Sequence, residues 1–211
     1  MSILLIGATG RTGWLVAEKL HASAMPFRAL IRNASKSEAF ARIGGSTFVA
    51  NLDDDFSAAF EGMQAVIYAA GSAETEGAEQ ERLIDRDAVI RSTKYAKDYG
   101  VPRFVVISAL LASAPEQGPE ALRHYAQMKR ESDDHVMHSG LDYLVVRPGP
   151  LSMDPGVGSL QLVSNSATSG TPVAREDVAS LVVEALKAGV TNKVIGFVGG
   201  NTRILDALST L

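Results

Sequence analysis

A doubly wound α/β domain, its parallel sheet covered by helices on both faces, is the fold class the sequence predicts. Three observations predict it. Apolar runs of strand length alternate along the chain with helix-like stretches, the pattern of repeated strand–helix–strand units. Several of these runs, 3–6 and 104–107 among them, are apolar at every position, as strands buried on both faces are. A glycine-rich turn, residues 7–13, joins the first run directly to the first helix.

Taken in order, strand 3–6 leads through the turn into a helix that begins near Trp14 and ends before a short strand at 27–31. A helix follows over 35–43, with Ser35 as N-cap and Gly44-Gly45 closing it. Residues 47–50 read as a strand, 56–60 as a short helix and 65–70 as a strand ended by Gly71. A long helix is expected from about 79 to 99, stopped by Gly100, with Ile84, Ala88, Ile90 and Ala96 on its buried side. Strand 104–107, helix 120–139 stopped at Gly140, and strand 143–146 come next. The last stretch holds a helix at 177–188, a strand at 194–198 and a closing helix at 204–208. Between them, 152–173 is rich in Gly, Ser, Thr and Asn and reads as a mobile loop segment on the substrate side of a single domain spanning 1–211.

Composition narrows the function. With 211 residues and 46% apolar content the chain can bury one sizeable core. A net charge of −4 with no long basic run gives no footing for nucleic acid. The absence of cysteine excludes thiolate catalysis, disulfides and cysteine-ligated metal centres. No apolar run is long enough for a membrane span. Met1-Ser2 runs straight into the first strand with no sign of a cleavable leader, so the expected location is the cytoplasm.

In a sheet of this kind ligands bind beyond the carboxyl ends of the strands. The first strand ends in Gly7-Ala8-Thr9-Gly10-Arg11-Thr12-Gly13. Glycines there let the backbone approach a pyrophosphate, and the new helix points free N–H groups and its positive dipole end at it. The second strand ends in Arg32-Asn33, about 20 residues on, where an acid would bind a ribose 2′-hydroxyl. No acid stands there. Arg32 offers a planar cationic fork suited to a phosphate, with Asn33 as a further donor; the plain alternative is a solvated arginine. The sequence therefore favours NADP over NAD.

After the third strand, Asn51 and Leu52, or Asp53, are placed to touch an adenine ring, while the acidic triplet 53–55 reads as a solvated turn capping the next helix. After the fourth, the small residues Ala69, Ala70 and Gly71 leave room for a ribose, or simply pack tightly. The fifth strand ends in Ser108, and Tyr125 and Lys129 follow on the next helix. Residues at i and i+4 share a helix face, and a lysine beside a phenol lowers its pKa, fitting the phenol for proton transfer near neutral pH. Ser108 would hold a substrate oxygen. The sixth strand runs into Pro148, Gly149, Pro150 and Leu151, a stiff turn that would form one wall of a nicotinamide pocket. His135 and His138 with Asp134 read as surface residues more readily than as a metal site, and none is assigned. Asp133-Asp134 reads as a solvated helix face. Trp14 reads as core, or as a brace under the glycine turn.

These residues together resemble the atypical short-chain dehydrogenase/reductase group, on its NmrA-like and biliverdin-reductase-B-like side. The resemblance rests on residues 7–13, Arg32, Ala69-Ala70-Gly71, Ser108, Tyr125 with Lys129, and Leu141-Asp142-Tyr143 leading to Arg147-Pro148-Gly149. It implies a Rossmann domain holding NADP(H), with Ser108 orienting the substrate, Tyr125 transferring a proton and Lys129 binding the nicotinamide ribose. Three functions remain open on these grounds: an oxidoreductase moving hydride between NADPH and a small carbonyl, quinone or flavin-like substrate; a non-catalytic sensor of the NADPH/NADP ratio; and a nicotinamide-dependent sugar epimerase. The last is ranked lowest, because no sizeable substrate domain follows residue 150. The expected partner is a small molecule; the sequence leaves the oligomeric state open.

Overall fold

The computed structural model describes residues 1–72, 76–164 and 167–211. Eight strands form one sheet in the order β3-β2-β1-β4-β5-β6-β10-β8. They are β1 (Ile3–Ile6), β2 (Phe27–Ile31), β3 (Ser46–Val49), β4 (Ala65–Tyr68), β5 (Arg103–Ile107), β6 (Asp142–Pro148), β8 (Ser159–Val163) and β10 (Lys193–Arg203). All pairings are parallel except that of β8 with β10. A separate parallel pair joins β7 (Leu151–Ser152) to β9 (Val173–Ala174). The strand order reverses between β1 and β4, which opens the crevice where such folds take a ligand. The predicted doubly wound sheet is therefore the observed one.

Both faces are covered. On one, α1 (Arg11–Ala22) and α6 (Arg175–Lys187) bury Val16, Leu20, Val178 and Val182 against Leu5, Ile67 and Val146. On the other, α4 (Ala88–Asp98) and α5 (Arg123–Met137) bury Val89, Ala96 and Val136 against Ile6, Tyr68 and Val106. The smaller helices α2 (Ser37–Arg42), α3 (Gly77–Gln80) and α7 (Ile204–Leu208) lie at the margins of this frame. Among the described residues no helix is long and apolar enough to cross a membrane.

Three expectations are corrected. The helix predicted over 35–43 starts as a 3₁₀ turn at Ala34–Lys36, and its cap is Asn33, whose side chain accepts the Ser35 N–H. The long helix predicted from 79 to 99 is broken: α3, a π-helix over Glu81–Asp87, and then α4. The inward positions are Asp85, Ala88, Val89, Ser92, Thr93 and Ala96, while Ile84 and Ile90 are only partly covered. The segment 152–173 is not a single loop, since β8 lies within it and pairs along β10; residues 165–166 lie outside the described set. Trp14 packs its ring on Phe40 of α2, 5.1 Å between centroids, and lies against the core, the first of the two readings the sequence gives it.

Candidate functional site at the carboxyl edge of the sheet

The glycines of the turn differ in what they do. Gly7 has φ +80°, and a Cβ there would stand 2.3 Å from the Ala70 backbone nitrogen. A Cβ on Gly13 would meet the Gly7 carbonyl oxygen at 2.1 Å. Gly7 thus lets the turn lie against the end of β4, and Gly13 lets α1 close onto the turn. Gly10 is the N-cap of α1 and supplies no side-chain cap, so the first N–H groups of the helix stay available to an anion. Thr9 and Thr12 form no side-chain bonds with described residues.

Arg11 and Arg32 are exposed, and neither has a hydrogen-bond or ion-pair partner among the described residues. Arg32 stands just past the end of β2, where the sequence places it. Asn33 gives its side-chain oxygen to the cap described above. Asn51 donates to Asp54 at 3.1 Å, and the Leu52 carbonyl accepts from Arg91. Asn51 thus braces its own turn, and the Leu52 carbonyl ties that turn to α4. In the acidic triplet, Asp55 accepts the Ser57 N–H at 2.9 Å, while the N-cap of the 3₁₀ turn at Ser57–Phe60 is Phe56 and not an acid of the triplet.

At the far side lie two buried ion pairs. Lys129 places Nζ 3.0 Å from Asp85 Oδ1 and donates to the Ile107 carbonyl at 3.2 Å. Asp85 also accepts Ser72 Oγ–H at 2.6 Å and the Ser72 N–H at 3.2 Å through Oδ2. It thereby fastens the loop after β4 to α5. The Ile84 carbonyl, beside it in the π-helix, accepts the Tyr68 hydroxyl at 2.6 Å. The second pair is Asp133, whose Oδ2 accepts Arg147 Nε at 2.8 Å and Ser108 Oγ at 2.8 Å, while Oδ1 has no partner. Both acids are fully buried, and Lys129 and Arg147 show side-chain exposures of 3% and 6%. Burial opposes the Lys129 charge, yet Asp85 with Tyr125 outweighs it and holds the ammonium above its ordinary pKa. Burial raises the Asp133 carboxyl, against the opposing pull of Arg147.

Tyr125 is half-buried on α5, with Lys129 Nζ 5.8 Å from its ring centroid. Its hydroxyl has no partner among the described residues. Burial pushes the phenol above its ordinary value, and Lys129 offsets this only in part. The lowered pKa that the Tyr–Lys spacing predicts is reversed, because burial of the phenol outweighs the pull of the Lys129 ammonium. Ser108 is brought to the same edge, but its proton goes to Asp133 in place of a substrate oxygen. Lys129 is likewise held inside the protein, by Asp85 and the Ile107 carbonyl.

Pro148 ends β6, Gly149 donates to the Phe197 carbonyl at 2.8 Å, Pro150 accepts from Val173 N–H at 2.8 Å, and Leu151 pairs with Val173. The expected wall is thus a braced element. The histidines separate: His124 meets Glu81, His135 meets Thr93 and His138 meets the Asp134 carbonyl.

Sequence reasoning missed Asp85, Asp133 and Arg147 as site residues. Asp133, expected on a solvated face, is fully buried, whereas its neighbour Asp134 is partly exposed and pairs with Arg130. For Asp85 a signal exists: an acid set among Leu83, Ile84 and Ala88 on the side a helix would bury.

A family model described as NAD(P)H-binding matches residues 7–188. The chain is similar to the uncharacterised sugar epimerase YhfK of Bacillus subtilis, 30% identical with both chains covered in full. Among solved structures it is similar to a provisionally named NAD-dependent epimerase/dehydratase from Bacillus halodurans, 33% identical, both chains fully covered, TM-score 0.96. It is also similar to ChuY, an anaerobillin reductase from Escherichia coli O157:H7, 25% identical over 96% of this chain and 99% of that one, TM-score 0.80.

Proposed function

The chain belongs to the NAD(P)H-binding family, and on that premise we propose that it is a cytoplasmic NADPH-dependent oxidoreductase reducing a small carbonyl, quinone or flavin-like substrate. The observation that carries the reading is Tyr125: a half-buried phenol, raised by burial and without a hydrogen-bond partner among the described residues, near the start of α5, the helix that follows β5. A phenol kept protonated at neutral pH is suited to give a proton. The residues present fit the cofactor. The glycine turn and the uncapped start of α1 suit its diphosphate, Arg32 its 2′-phosphate, Ala69, Ala70 and Gly71 the ribose, and residues 148–151 the nicotinamide side. Bound there, a reduced nicotinamide supplies a hydride. Tyr125 Oη then delivers the proton to the substrate oxygen, so that a carbonyl becomes an alcohol. Lys129, fixed by Asp85, steadies the ring from its face. The cytoplasmic assignment is supported by a chain without cysteine.

A second reading has its own observation. Ser108 and Lys129 are both held by internal acids, which favours a non-catalytic module sensing the NADPH/NADP ratio. Tyr125→Phe decides between them. The reductase reading expects loss of NADPH consumption with carbonyl, quinone and flavin acceptors while NADPH still binds. In the wild type, kcat should stay level through neutral pH and fall only on the alkaline side of a phenol's ordinary value of about 10. Wild-type protein that binds NADPH tightly yet consumes it with no acceptor in the panel establishes the sensor.

A further inference from the structure

Beside the glycine turn, a pocket of about 330 Å³ opens between the first residues of α1 and those of α6. Arg11 and Leu15 form one side, Arg175 the other, and Met153 and Pro155 from the loop after β7 close over it. Two guanidinium groups therefore face one small space. Among the described residues Arg11 has no partner, and those of Arg175 are neutral: the Ser152 carbonyl at 3.0 Å and the Met153 sulfur at 3.3 Å. Burial, with the Arg11 charge adding to it, holds Arg175 below an arginine's ordinary pKa.

The nearby acids do not relieve this. Glu176 is engaged by Lys19 at 2.8 Å and by the Gly156 N–H at 3.1 Å. Asp177 accepts the N–H groups of Val157 at 3.0 Å and Gly158 at 2.8 Å. Asp154 is exposed on the rim and pairs with neither arginine. The bonds from Glu176 and Asp177 do something else: they pin the loop carrying Met153 and Pro155 to the head of α6. Arg175 thus stands ready across from Arg11 without any closing movement.

We propose that Arg175 and Arg11 form a two-sided clamp for the diphosphate of the nicotinamide cofactor, with Met153 and Pro155 as its cover. Arg11 is the first residue of the helix whose N–H groups suit that diphosphate, so the pocket lies along its path. A dianionic group between two unneutralised guanidinium groups gains charge-assisted bonds from both and removes their mutual repulsion. The proposal rests on the cofactor assignment above and extends the site into the C-terminal part of the chain.

The test is equilibrium titration of the full chain, followed by nucleotide fluorescence or calorimetry, with NADPH and with 2′-AMP, which carries the 2′-phosphate but no diphosphate. Arg175→Ala should weaken NADPH about tenfold and leave 2′-AMP unchanged, with Arg175→Lys in between and thermal unfolding as in the wild type. Arg32→Ala should weaken both ligands. Unchanged NADPH affinity in Arg175→Ala overturns the clamp, as does an equal loss for both ligands. A wild type that binds neither NADPH nor NADH overturns the cofactor assignment itself and is told apart by that result.

Discussion

The two sides of the carboxyl edge handle charge in opposite ways. Past β1 and β2, Arg11 and Arg32 are exposed and without partners among the described residues. Past β4, β5 and β6, Asp85, Lys129, Asp133 and Arg147 are buried and paired with one another. A cation left unpaired in water costs little and remains open to an incoming anion. A buried charge without a partner costs several kcal/mol, so such groups are fixed into the fold. Residue type alone does not separate the two uses: Arg32 and Arg147 each sit at or just past the end of a strand, and only burial tells them apart.

Three substitutions break or sharpen this contrast. The largest effect is expected from Gly13→Ala, since its Cβ would stand 2.1 Å from the Gly7 carbonyl oxygen and both atoms are held by backbone. The unfolding midpoint should fall by at least ~10 °C; a shift of a degree or two would mean the turn yields easily. Next comes Arg147→Ala, which leaves Asp133 buried beside Ser108 alone. A loss of about 3–5 kcal/mol is expected in urea unfolding, against no more than about 0.5 kcal/mol for Arg32→Ala. Similar losses for the two arginines would erase the distinction. The smallest effect lies in binding alone: Arg32→Ala should weaken NADPH by about 10- to 100-fold while sparing NADH. Equal losses for the two cofactors would remove the 2′-phosphate role from Arg32.

Much of the fold was legible because the buried parallel strands carry it in plain apolar runs. β1, β4 and β5 stand where 3–6, 65–70 and 104–107 read as strands, and α7 matches 204–208. The glycine turn was legible because its constraints are local: Gly7 and Gly13 have neighbours that a side chain would strike. What was not legible depends on contacts distant in sequence. Ser108, Tyr125 and Lys129 are recognisable by type, but the acids that take up Ser108 and Lys129 come from α5 itself and from the π-helix. Asp133 and Asp134 look alike in the sequence, and one helical step puts the first under β6 and the second toward solvent. The strand β8 was hidden by a composition rich in turn formers, because its place is set by pairing along β10.

The π-helix over Glu81–Asp87 also changes how spacing is measured along this chain. A π turn holds more residues than an α turn, so the inner face of α4 is out of step with that of α3 by the width of the insertion. A homologue whose helix is α throughout would need about one residue fewer between positions 77 and 99 to bury the same Ala88 and Ala96 face. A gap of that size in an alignment would then mark the loss of the wide turn in which Asp85 and the Ile84 carbonyl sit, not a trimmed surface.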